Sequence, residues 1–202
     1  MEQPEISNAG FLCSFLLTYF TNMQMELSAN FAELKKRFLA GEIGRLKEFA
    51  AERACQALEF SDVRLAQFAV VAYSLAKLIE KSYIYQTPRW KKFTKFFIEH
   101  LSKGEDCEGD AGACTNVLME IMREMNVLSS DLGRFVMSAV EKAKIKTATQ
   151  IYAHGASIGR AIELTGADRK ELLSYIGATR LPEKYETKSV GHRLAFAEKL
   201  FR

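Results

Sequence analysis

Apolar positions along this 202-residue chain recur every three or four residues and rarely alternate with polar ones. A spacing of about 3.6 residues sets them on one face of an α-helix. "EIGRLKEFAAERACQALEF" places Ile43, Leu46, Ala50, Ala54, Ala57 and Leu58 at that spacing, with charged residues between them. "SDVRLAQFAVVAYSLAKLIEK" does the same with Leu65, Phe68, Ala72, Leu75 and Ile79, and Ser61 is its expected cap. Thr87-Pro88 announces another helix, because a hydroxyl cap followed by proline suits the first turn. "TNVLMEIMREMNVL" is a Met-rich amphipathic helix, and Ser130 is expected to cap the longest helix, running to Gly155.

The remaining segments complete an all-α pattern. Residues 9–27 form the most hydrophobic predicted helix, Ser28 caps the next, and Gly41 closes it. "SKGEDCEGDAGAC" is Gly-rich, acidic and poor in apolar residues, so it reads as a loop. "VGHRLAFAEKLF" is a last amphipathic helix. No Asn-Gly or Asp-Gly hairpin signal occurs. The predicted architecture is an N-terminal multi-helix bundle over residues 1–139. Residues 140–202 would form a C-terminal helix-turn-helix module of three helices, sharing the long helix, plus a C-terminal helix.

One stretch carries a functional suggestion. "SIGRAIELTGADRKELLSYI", residues 157–176, reads as two short helices about a tight corner. Ser157 can cap the first helix, Gly166 can turn the chain, and Asp168 can cap the second, with Glu171 three residues on. Ala161, Ile162, Ala167, Leu172, Tyr175 and Ile176 supply inward contacts. That register leaves Arg169, Lys170 and Ser174 on the outer face of the second helix, which in a docked helix-turn-helix enters the major groove. Lys142, Lys146, Arg160 and Arg180 are the nearby candidates for phosphate neutralisation.

The segment "KTATQIYAHGASIGRAIELTGADRKELLSYIGATR" resembles the C-terminal module of a prokaryotic family of uncharacterised helical proteins. It is also similar to the short helix-turn-helix antitoxins found beside PIN-type nuclease toxins. Tyr152, Gly155, Ser157, Ala161, Glu163-Leu164 and Gly166 carry the likeness, with Glu171-Leu172 and Tyr175-Ile176-Gly177. The resemblance implies a DNA-binding or regulatory role, with an antitoxin-like or adaptor contact to a protein as the alternative. Leu173, on the same helix, suits that second kind of partner.

Charge sharpens the first reading. The net charge is only +3, but Val140 to Arg202 carries 12 Lys and Arg against 7 Asp and Glu. The positive excess therefore sits in the segment holding the corner. "TPRWKKFTKFF" mixes cations with aromatics, a pattern that can track single strands. Helical spacing explains it more simply, with Trp90, Phe93 and Phe97 on a core face and Lys91, Lys92 and Lys95 on a solvated one.

The other chemistry is sparse. The acidic loop fails the calcium-loop pattern, since the glycine and glutamate positions counted from Asp106 hold Ala111 and Val117. Cys107 and Cys114 lack zinc spacing, and a disulfide between them is left open. Cys13 and Cys55 read as small core residues, and His100 and His154 sit near helix C-termini, where a cation is favoured. No nucleophile elbow, phosphate loop or paired-carboxylate motif occurs. The expectation is therefore a non-enzymatic regulator without metal or cofactor. It is expected to be soluble and cytoplasmic, because "FLCSFLLTYF" is about half the length of a membrane span and the N-terminus lacks a positive region; the helical bundle is also expected to self-associate as a homodimer.

Overall fold

The computed structural model describes residues 27–84, 86–107, 110–131 and 134–179, with the side chains of all but 129–138. The hydrophobic segment ahead of Leu27, the final predicted helix, Arg180, Cys13 and His192 lie outside the described residues. Every described element is helical: eight α-helices, one short 3-10 turn and no strand. They are α1 (residues 27–40), α2 (Ile43–Glu59), α3 (Val63–Ile79), α4 (Pro88–Glu105), α5 (Ala111–Asp131), α6 (Arg134–Ala153), α7 (Ile158–Thr165) and α8 (Arg169–Thr179).

Helix α3 is the axis of the fold, and its buried residues include Phe68, Val71, Leu75 and Leu78. Such all-round apolarity marks a helix enclosed by neighbours. Phe31 of α1 meets Phe68 edge-on at 4.8 Å, and Phe38 meets Phe97 of α4 at 4.9 Å. On α4, Trp90, Phe93 and Phe97 are buried while Lys91, Lys92 and Lys95 are exposed, so periodicity accounts for the aromatic-basic stretch. Thr87 caps α4 by accepting from the Trp90 amide at 3.2 Å, with Pro88 in the first turn, as its sequence predicts.

Several boundaries differ from the expected ones, each for a local reason. Ser28 falls inside α1 rather than ahead of it. Ser61 adopts a left-handed φ of 55°, and Asp62 caps α3, accepting from the Arg64 amide at 2.8 Å. The Asp62 carboxylate also binds the Arg64 guanidinium at 2.7 Å, a pairing a serine cannot make. Ser130 lies within α5, which continues to Asp131. The expected loop shrinks as well: α4 runs through Ser102–Glu105, and Asp110 caps α5 by accepting from the Ala113 amide at 2.9 Å. A disulfide joins Cys107 to Cys114 across the remaining gap, with Cα atoms 5.4 Å apart.

Two principal buried clusters result. The larger gathers aromatic and aliphatic side chains mainly from α1 to α5, with Ala139 of α6 at its edge. The second sets Ala54, Ala57, Ala66 and Ala69 of α2 and α3 against Ile145, Ala148 and Ile151 of α6, and adds Leu164 and Leu172 from α7 and α8. Small side chains let these helices approach closely, and the short C-terminal helices complete the apolar enclosure. Among the described residues, no helix is long and apolar enough to cross a membrane.

Candidate functional site

The corner between α7 and α8 has the local chemistry its residues specify. Ser157 accepts from the Arg160 amide at 3.1 Å, and Gly166 takes a left-handed φ of 65° while its amide reaches the Ile162 carbonyl at 2.8 Å. Without a Cβ, that conformation is nearly free of steric cost. Asp168 then caps α8, accepting from the Glu171 amide at 2.9 Å. Ala161 is fully buried, while Ile162 is only half-buried. Thr165 adds a brace that sequence reading missed: its hydroxyl donates to the Ala161 carbonyl at 2.7 Å and accepts from the Ala167 amide at 3.3 Å.

Helix α8 is lightly anchored. Leu172 is its one fully buried side chain, Tyr175 and Ile176 are half-buried, and the rest of the helix faces solvent. Leu173 is 43% exposed, a large apolar side chain left partly open to solvent.

The residues expected to contact DNA do not all come together. Lys142, Lys146, Lys170 and Ser174 come together on one cleft of about 880 Å³. Arg169 is exposed at the start of α8 but does not line that cleft. Arg160 is committed within α7, where its guanidinium binds Glu163 at 2.7 Å. Arg180 lies outside the described residues.

The cleft is made where three helical faces converge. From α6 come Lys142, Ile145 and Lys146, one turn apart; from α8 come Lys170, Ser174 and Ala178, also one turn apart. The third wall is the last part of α3, with Tyr73 and Lys77, and Lys81 just beyond its end. Sequence reading missed this wall because α3 lies more than sixty residues upstream and only tertiary packing brings it to α8.

Not all the cations are equally available. Glu80 binds Lys47 at 2.5 Å and Lys77 at 2.9 Å, and these two ammonium groups hold its carboxyl below the ordinary range. In return, the hydrogen bond to Glu80 raises the Lys77 pKa. Lys146 and Lys77 also lie over the rings of Tyr175 and Tyr73, at 5.9 and 5.8 Å. Lys142, Lys146 and Lys170 form no ion pair with a described carboxylate.

Outside the cleft, two histidines meet specific partners. His100 is buried, with Nε2 3.0 Å from Glu120 Oε2 and Nδ1 2.9 Å from the Phe96 carbonyl. His154 Nδ1 lies 2.7 Å from the Gln150 carbonyl, which accepts, so that nitrogen carries the hydrogen. In the neutral ring Nε2 is then the acceptor for the Cys55 thiol, 3.0 Å away across the α2–α6 contact. Cys55 is therefore half-buried and hydrogen-bonded rather than a plain core residue. No group of three or more His, Cys, Asp and Glu side chains suited to a metal occurs among the described residues. Compared with known proteins, the chain matches no family model, no curated protein and no solved structure.

Proposed function

We propose that this protein is a DNA-binding regulator that uses the α7–α8 corner as a helix-turn-helix and presents α8 to a duplex. The observation that carries the reading is the placement of α8: one buried leucine anchors it, and Arg169 and Lys170 stand exposed at its N-terminal end. In a docked helix-turn-helix the N-terminal residues of the second helix approach base edges. Lys142 and Lys146 extend the cationic surface toward α6, where phosphates would lie. A homodimer would offer two such helices to half-sites about one helical turn apart.

Fluorescence anisotropy with random duplex DNA at low salt tests this proposal. Binding is expected to weaken steeply with salt, and Arg169→Ala with Lys170→Ala should lower the salt slope by about two. Undetectable binding, or binding indifferent to salt and to both substitutions, rejects it.

The exposure of Leu173 supports a second reading, an adaptor or antitoxin-like contact with a protein through the apolar edge of α8. Leu173→Lys separates the two readings: it would abolish capture of a protein partner and leave duplex binding intact or slightly tighter.

A further inference from the structure

The cleft between α3, α6 and α8 has properties that a duplex does not use. Its volume of about 880 Å³ falls in the range typical of small-molecule sites. Its walls are largely apolar, with Ile145, Ala139 and Ala178 beside the rings of Tyr73 and Tyr175. Lys142, Lys146 and Lys170 stand over these apolar walls from two different helices. A phosphate backbone seeks an open cationic face and gains nothing from an apolar recess. A free inorganic anion would likewise leave the recess unfilled.

We propose that this cleft binds a small amphipathic anion, with an aromatic or aliphatic body and one carboxylate, sulfonate or phosphate head. The body lies between the tyrosine rings and Ile145, where its apolar surface leaves water. The head meets the ammonium groups of Lys142, Lys146 and Lys170. Glu80 does not repel it strongly, because Lys47 and Lys77 already neutralise that carboxylate. Glu171 is the remaining carboxylate on the lining and steers the head toward α6. This inference goes beyond the DNA reading and does not rest on it.

Anilinonaphthalene sulfonate is the probe, and phenylnaphthylamine, the same rings without the sulfonate, is its neutral control. Titration followed by fluorescence is expected to show one saturable site for the sulfonate and at least roughly tenfold weaker binding of the neutral rings. Lys142→Gln with Lys170→Gln should weaken the sulfonate by about tenfold, the effect of losing two close charge contacts. Lys91→Gln with Lys95→Gln, exposed on α4, should leave it unchanged. Ala178→Trp, which fills the recess from the exposed side of α8, should abolish binding while circular dichroism and the melting temperature stay close to wild type. Decanoate should displace the probe and inorganic phosphate at the same concentration should not.

Equal binding of the charged and neutral rings, displacement by phosphate alone, or indifference to the lysine and tryptophan substitutions would overturn the proposal. The DNA reading is tested without any probe, so either can fail alone.

Discussion

Gly104 shows how one missing methyl group shapes this molecule. A Cβ there would come within 2.3 Å of the Phe31 ring, and both residues are buried. Gly104→Ala is therefore expected to cost about 1–3 kcal/mol through overpacking, even though alanine favours a helix by roughly 0.8–1 kcal/mol. Gly44 is the contrasting case, on α2 with open space around it. Gly44→Ala should stabilise by about 0.5 kcal/mol, and urea titration of both variants checks the opposite signs. The sequence could not reveal this difference, since Gly104 sits in an acidic, Gly-rich run that reads as loop. In the fold that run is the end of α4 and packs on Phe31, which lies 73 residues away in the chain. Glu80 gives a pH-dependent test at the same scale. Its folded pKa is depressed by Lys47 and Lys77, so its contribution is present above the ordinary value of 4.5 and is lost as pH falls through the depressed one. Lys77 is raised, so its share is complete below the ordinary 10.5 and is lost as pH climbs through the raised value. The stability gap between wild type and Glu80→Gln should hold between those limits and close on either side. These groups are about one-third exposed, and the gap should stay below about 1 kcal/mol.

Among the elements, the α7–α8 corner was the most legible because its signals are local. Ser157, Gly166 and Asp168 each act on backbone within three or four residues, and all three do so as their chemistry predicts. Gly166→Ala should cost about 1–2 kcal/mol by forcing a Cβ into the left-handed region. Asp168→Ala should cost about 0.5–2 kcal/mol through the lost cap. Both losses should appear first as fraying of α8, followed by loss of the Tyr175 fluorescence environment, before the main unfolding transition. The junction of α5 and α6 was less legible. Ser130 has the chemistry of a cap, yet α5 continues past it to Asp131, so the local cap signal does not mark a helix start there. The candidate site was half legible. Lys170 and Ser174 were named from helical register and Lys142 and Lys146 as nearby cations, whereas Tyr73, Lys77 and Lys81 join them only through tertiary packing.

In the whole molecule, anchorage is uneven, and that unevenness determines what α8 can do. Helix α3 is buried along nearly its whole length, while α8 contributes Leu172 as its single fully buried side chain to the second cluster. Truncating a buried leucine typically costs about 2–5 kcal/mol. For Leu172→Ala that cost should fall on the docking of α8, because α7 keeps Ala161 and Leu164 in the core and α1 to α5 keep the larger cluster. The expected result is a partly open molecule rather than an unfolded one. Hydrogen exchange should show fast amides across residues 169–179 and unchanged protection in α3. Since α8 is one wall of the cleft, anilinonaphthalene sulfonate should lose its site in the same variant. Uniform loss of protection across α3 and α8 would instead mean that α8 belongs to the cooperative core, and a separately presented, groove-reading helix would then not follow from its exposure.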